Sequence, residues 1–335
     1  MSITPLREKL ITPKVSVIIP AYNTAKYIQQ AIDSVLIQTE QNLEIIVVDD
    51  ASTDNTVEVV KNFSGDRIKL LVNECNRGDG YSRNQAIRTA TGEWIALLDS
   101  DDWYASPIRI ERLLEVAEAE KADVVADDVY FIHDGEQQPF STLFSAGEQF
   151  DRPKEIDAIT VINSNAKPAR YSPHYGLTKP LIKRSFLTHN HIEYHEKLPV
   201  VADLHFYVKC LANGARFIVV PEAYYCYRRT RQGSIVNKSN RLQQLEPLRQ
   251  LALDLLQQEY VKENRALLET ISKFLANIEQ SLNYHRVVSS IKEQGLLTVF
   301  SQMVSDSSYR SLFISQISEI IQRRMLNILG KTKDI

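Results

Sequence analysis

Three carboxylates within four positions, Asp99, Asp101 and Asp102, follow directly on an apolar run from Trp94 to Leu98. An unbroken apolar run of that length suits a strand buried on both faces. The acids then fall at its carboxyl end, where open α/β sheets bind their ligands. Acids this close repel one another and would gain from a divalent cation. Mg²⁺ is usually held by one or two carboxylates, with substrate phosphates completing its shell. A lone D-x-D is more often a solvated turn, so the weight rests on what the other strand ends carry.

Two of them carry polar groups as well. Val15 to Ile19 is a strand-like run halted by Pro20, with Tyr22 and Asn23 in its exit loop, and Leu43 to Val48 ends in Asp49-Asp50. Neither GxxxxGK[ST] nor GxGxxG follows the first run, and its PAYN loop has no glycine for close backbone approach to a pyrophosphate. The pattern therefore predicts a nucleotide whose pyrophosphate is neutralised by a metal rather than by a helix N-terminus.

The elements that must position these residues alternate. A helix pattern follows Thr24 (Ala25, Ile28, Ala31, Ile32, Val35, Leu36), with Thr24 as its expected N-cap. Ser52 to Asn55 supply caps for a second helix carrying Val57, Val60 and Phe63. Ile68 to Val72 reads as a strand, and Gly78 to Ala90 as a loop and short helix that Gly92 would terminate. Alternating βα units predict a parallel, doubly wound sheet. Pro107 opens another helix, and Asp123 to Ala126 returns to strand. From about Phe131 to Arg170 no periodicity stands out. Strand is expected near Leu181, a helix from Arg184, another over Asp203 to Ala212, then strands at Phe217 to Val220 and Ala223 to Tyr227. Beyond about Asn240, Leu245, Leu248, Leu251 and Leu255, then Leu267, Ile271, Phe274 and Ile278, mark long amphipathic helices.

Composition excludes several classes. Hydrophobic content of 44% and charged content of 24% are those of a globular domain, and a formal net charge of −3 gives no basic field for nucleic acid. Cys75, Cys210 and Cys226 are odd in number and widely spaced, without a CxxC, so a reducing compartment is expected and no zinc site. With no signal-peptide core and no run approaching the ~18 apolar residues of a membrane span, a cytoplasmic chain is expected.

VSVIIPAYNTAKYIQQAIDSVLIQT, VVDDASTDNT and NRGDGYSRNQAIRTATGEWIALLDSDDWY, in that order from Val15 to Leu114, resemble the N-terminal half of family 2 glycosyltransferases. Weaker similarity runs to Ser234, and ADDVYF is similar to exopolysaccharide glucosyltransferases of the succinoglycan type. The resemblance implies the α/β GT-A fold, with a Rossmann-like, doubly wound, mostly parallel sheet and a C-terminal all-helical appendage. Residues 1–14 are then a lead-in and 15–239 the catalytic domain, with a nucleotide-sugar half (15–130) and an acceptor half (131–239). Residues 240–335 form the helical region.

By the same resemblance Pro20, Tyr22, Asn23, Asp50, Arg83, Asp99 and Asp101 bind the nucleotide. Tyr22 would stack on uracil, Asp50 would accept from its N3–H, and Asp99 would touch the ribose. Asp101, Asp102 or both would reach Mg²⁺ or Mn²⁺ on the diphosphate. Asp203 stands where the family keeps its base, although Ala202 replaces the usual glutamate before it. The plain alternative for Asp203 is a helix N-cap; Glu196 and His205 are fallback candidates. Arg228, Arg229 and Arg231 resemble a basic segment closing over the diphosphate, and His174, Tyr175 and Lys179 fall on the acceptor side without assigned roles. QxxRW is absent, which favours one sugar per encounter. Segment 323–329, with Arg323-Arg324, is expected to pack on the catalytic domain or a second subunit, or to meet an anionic membrane surface. The expected activity is inverting transfer from a UDP-sugar to a glycan, lipid-linked or small-molecule acceptor, in exopolysaccharide or other cell-surface glycan synthesis. The alternatives are a catalytically silent sugar-nucleotide-binding protein and a sugar-nucleotide nucleotidyltransferase.

Overall fold

The computed structural model describes residues 12–63, 65–147, 150–165, 174–196, 198, 201–229 and 241–294. The chain divides into two compact units, Met1–Ser234 and Ile235–Ile335.

In the first unit, β1 (Val15–Ala21) and β2 (Leu43–Asp49) are buried at every position, as their unbroken apolar runs require. β3 (Ile68–Val72) lies at the edge and is half-buried. With β4 (Trp94–Leu97) they pair in parallel in the order β3-β2-β1-β4. The crossovers are α1 (Ile28–Leu36), α2 (Thr56–Lys61) and α3 (Asp79–Thr89), and α3 packs on β1 and β2.

β5 (Trp103–Tyr104) and α4 (Arg109–Ala119) lead into β6 (Val124–His133). The hairpin strand β7 (Ser141–Thr142), β8 (Lys154–Ile156) and α5 (Ala158–Asn165) follow. β9 (Leu181–Lys183), α6 (Arg184–His189), α7 (Ala202–Ala212) and β10 (Phe217–Arg229) complete the unit. The sheet continues from β4 through β9, β6, β10 and β5. β9 is antiparallel to both β4 and β6, so β6 runs in the direction of β4, and β10 is parallel to β6. Six strands therefore point one way, and their carboxyl ends share one rim.

Three local expectations change, and a fourth narrows to one residue. The Thr24 side chain does not cap α1: Tyr27 is the N-cap residue, and the Thr24 carbonyl instead accepts the Tyr27 and Ile28 N–H groups in a preceding turn. Of the cap residues expected over Ser52 to Asn55, Asp54 binds the start of α2, accepting from Thr56 N at 3.0 Å. Gly92 does not end α3, which stops at Thr89. A Cβ at Gly92 would sit 2.6 Å from Ser16 N, so the glycine serves close approach of the chain to β1. The two strands expected at 217–220 and 223–227 are one strand, β10, with register shifts against β6 between Val219 and Tyr225.

At the opposite rim a buried carboxylate ties the sheet together. Glu44 of β2 accepts from Ser16 Oγ (2.6 Å), Thr91 N and Oγ1 (2.7 Å each) and Lys69 Nζ (2.7 Å).

The second unit contains α8 (Arg241–Gln257), α9 (Glu259–Glu263) and α10 (Arg265–Gln294). Leu267, Ile271, Phe274, Ile278 and Leu282 of α10 recur every three or four residues and are buried; α10 packs on α8, whose Leu245, Leu251 and Leu255 are buried too. The expected segment 323–329 lies outside the described residues.

Candidate active site

The rim gathers the predicted residues from separate strands. Ala21 pairs with Asp49, and the Asp50 N–H bonds the Ala21 carbonyl, so the exits of β1 and β2 lie side by side. Pro20 is buried as the sixth residue of β1. Tyr22 is 45% exposed, an unusual state for a large aromatic at a buried strand's end. Asn23, at φ 52°, ties the two loops: its Oδ1 accepts from Thr53 N at 2.8 Å, and its own N–H reaches Ser52 Oγ. Asp50 is buried and accepts from Asn73 Nδ2 and from the N–H groups of Arg77 and Gly78, which fixes the loop before α3. Asp49 caps its own turn at Ser52 N.

The centre is an ion network. Arg83, in the second turn of α3, donates from Nη1 to Asp203 Oδ1 (2.7 Å) and Asp79 Oδ2 (2.8 Å), and from Nη2 to Asp99 Oδ1 (2.7 Å). Lys179 Nζ donates to Asp203 Oδ2 at 2.6 Å and Asp99 Oδ2 at 3.0 Å. Both cations are almost fully buried, and Asp203 retains only 13% of its side-chain surface. Burial pushes the Asp99 carboxyl up, but Lys179 and Arg83 outweigh it and hold that group at about 2. Burial likewise opposes the charge on Lys179, yet Asp203 and Asp99 raise its pKa above the ordinary lysine value.

Asp203 sits in the first turn of α7, whose N-cap is Val201; its carboxylate faces the two cations rather than the helix N–H groups. Behind Lys179, the buried Arg109 forms a bidentate pair with Asp127 (3.0 and 2.7 Å) and also donates to the Lys179 carbonyl. Sequence reasoning left Lys179 without a role, because its partners arrive from segments 80 and 24 residues away.

The three acids after β4 divide. Asp99 joins the network. Asp102 is buried and accepts from Tyr225 Oη (2.8 Å) and Arg228 N (2.7 Å), and burial, with Asp101 and Asp99 nearby, pushes its pKa well up. Asp101 is partly exposed between them. Arg228 donates from Nε to the Asp101 carbonyl (2.8 Å), from Nη1 to Asp134 (3.1 Å) and from Nη2 to Gln30 (2.7 Å). Its guanidinium therefore clamps the acidic loop, which leaves it poorly placed for the expected closure over a diphosphate. The Arg229 guanidinium lies over Phe131, 4.6 Å from the ring centroid, and Arg231 lies outside the described residues. Glu196 reaches Asn84 (3.4 Å), and His205 packs edge-on against His195 (5.5 Å).

The sequence pattern of glycosyl transferase family 2 matches residues 16–171. The chain is 34% identical over 277 residues to the succinoglycan biosynthesis protein ExoO of Rhizobium meliloti, an alignment covering 80% of this chain and 77% of that protein. The chain belongs to glycosyl transferase family 2. A second relative, the UDP-Glc:alpha-D-GlcNAc-diphosphoundecaprenol beta-1,3-glucosyltransferase WfgD of Escherichia coli, is 48% identical over 98 residues, 29% of this chain and 39% of that enzyme. Among solved structures, S. aureus TarS 1–349 in complex with UDP-GlcNAc superposes with a TM-score of 0.61 at 20% identity, covering 91% of this chain and 92% of that one. That likeness shows the fold, GT-A, with helices after the catalytic unit as expected. In this glycosyltransferase the rim described above is the candidate active site.

Proposed function

We propose that this glycosyltransferase moves a sugar from a UDP-sugar to an acceptor hydroxyl with inversion at the anomeric carbon, in the assembly of exopolysaccharide or another cell-surface glycan. One observation carries this reading: the Asp203 carboxylate is joined to Asp99, at the nucleotide rim, through the shared cations Arg83 and Lys179. That arrangement supports reading Asp203 as the carboxylate base, next to the rim where the donor would bind. Tyr22 supplies an exposed flat face for the base, and Asp99 is held ionised for the ribose hydroxyls. ExoO and WfgD, named for succinoglycan and for glucosyl transfer to a diphosphoundecaprenol-linked sugar, support the substrate class.

Asp203 takes the proton of the acceptor hydroxyl, the acceptor oxygen bonds to the anomeric carbon, and the bond from that carbon to the diphosphate oxygen breaks. Among the described residues no group of three or more His, Cys, Asp or Glu is arranged to hold a metal alone. Asp101, partly exposed beside Asp99 and Asp102, is the carboxylate that would hold a cation whose other ligands are phosphate oxygens. Mg²⁺ or Mn²⁺ bound there would act as a Lewis acid on the departing diphosphate. No helix among the described residues is long and apolar enough to cross a membrane, so a lipid-linked acceptor would be met at the surface.

The test is UDP release from UDP-sugars with Mn²⁺. Asp203→Asn, folded by its thermal transition, should lose roughly 10²- to 10⁴-fold in kcat while still binding UDP. Full activity in that variant would overturn the mechanism.

A further inference from the structure

The carboxyl ends of β6 and β10 carry a second group of side chains that the transfer chemistry leaves unused. Phe131 pairs with Tyr227 and His133 with Arg229. Register partners two apart along a strand share one face of the sheet. Phe140, just before β7, donates its N–H to the Phe131 carbonyl at 3.0 Å and lays its ring over this group. The ring stacks on His133 with centroids 4.3 Å and planes 14° apart, and on Phe131 at 6.2 Å and 24°. Tyr227 braces Phe131 edge-on at 5.8 Å. Yet Phe140 is 51% exposed. With one side covered by His133, that exposure belongs to the outer side, a flat apolar surface on a stacked backing.

Two connections join this surface to the transfer site. Asp134, following β6, accepts from Tyr27 Oη (2.8 Å), Lys26 Nζ (3.2 Å) and Arg228 Nη1 (3.1 Å), pinning the hairpin to the segment after β1 and to the arginine that clamps the acidic loop. Tyr227 feels the site as well: burial pushes its hydroxyl up, and the charges of Asp102, Lys179 and Asp99 all act on it.

We propose that the outer face of Phe140 is an acceptor subsite, stacking on the C–H face of a pyranose ring in the growing glycan. The proposal rests on the transfer reading above. A pyranose presents hydroxyls at its rim and C–H groups on its face, so a flat ring covers the face and leaves the rim hydrated. The hairpin tip Gly135-Glu136-Gln137-Gln138 is polar and acidic. It suits a hydroxyl-rich glycan and disfavours an anionic lipid surface.

The test uses the full chain and a panel of disaccharide methyl glycosides of glucose, galactose, mannose and N-acetylglucosamine, read by saturation-transfer NMR. UDP affinity with Mn²⁺ is measured in parallel by calorimetry. Saturation should pass from aromatic protons to one pyranose face of at least one sugar. Affinity for that sugar should fall roughly tenfold in Phe140→Ala, fall also in Phe140→Leu, which keeps apolar bulk without the flat face, and recover in Phe140→Trp. UDP affinity should hold throughout. Transfer to no sugar, or sugar affinity unchanged in Phe140→Ala while UDP binds, overturns the subsite alone. Failure of the wild type to bind UDP overturns the transfer reading beneath it. Co-sedimentation with phosphatidylglycerol vesicles that Phe140→Ala abolishes, with sugar affinity intact, replaces the subsite with a membrane contact.

Discussion

At the scale of single residues, the charge states around the acidic loop decide which carboxylate serves a cation. Asp102 is turned inward with both oxygens engaged, and its neutral form is favoured by burial and by two neighbouring acids. A group whose folded pKa is raised lends stability below its unfolded pKa, near 3.9, and loses it as pH climbs through the folded value. Asp102→Asn mimics the neutral form, keeps an acceptor for the Arg228 N–H, and should therefore gain in melting temperature over the wild type as pH rises. Asp101→Asn should raise the Mn²⁺ concentration for half-maximal UDP release by about tenfold or more, whereas Asp102→Asn should move it little. Equal shifts in both would show that the two acids share the ion. Lys179 has a different role: Lys179→Met leaves Asp99 and Asp203 to Arg83 alone. Breaking a buried pair of this kind costs about 3–5 kcal/mol, to be read from urea unfolding. Since Lys179 is the largest of the influences lowering the Asp99 pKa, the Asp99 carboxyl carbon should then titrate above its present value of about 2.

At the scale of elements, Glu44 binds β1, β2, β3 and the turn before β4 at one carboxylate. Burial works against its charge, but Lys69, Ser16 and Thr91 together hold it at about 2. With a depressed folded pKa, its contribution is complete above the unfolded value, near 4.3, and disappears as pH falls from there through about 2. Glu44→Gln should cost on the order of 2 kcal/mol at pH 7 and make acid unfolding shallower across that window, measured by circular dichroism. The strands themselves were legible, because runs such as Val15–Ile19 and Leu43–Val48 have only one comfortable home, a sheet covered on both faces. So were the acids at their ends. The Glu44 knot was not, since a lone Glu within an apolar strand gives no hint of Ser16 or Thr91. Lys179 and Arg109 were hidden for the same reason, as long-range ion pairs leave no periodicity. Phe140 fell in the stretch where pattern reading found nothing, for the two-residue strand β7 that follows it is too short to show alternation.

At the scale of the whole molecule, every residue assigned to transfer lies in the first compact unit, while α8 to α10 bury Leu251, Leu255, Ile271 and Phe274 within the second. Each unit has its own apolar core, the usual condition for folding alone. Among the described residues, strands β1 to β10 and the Arg83–Lys179 network draw on none beyond Arg229. A chain ending at Ser234 should therefore unfold in one cooperative transition and bind UDP with Mn²⁺ within about threefold of the full chain, since no proposed ligand is removed. Transfer to a free sugar should follow UDP binding. Transfer to a lipid-linked acceptor should fall selectively if the helices carry the chain to a surface, and fall little if they only pack against protein. Loss of UDP binding in a folded truncated chain would instead place part of the nucleotide site in the helical unit, and the base, ribose and cation roles assigned to the rim would then be incomplete.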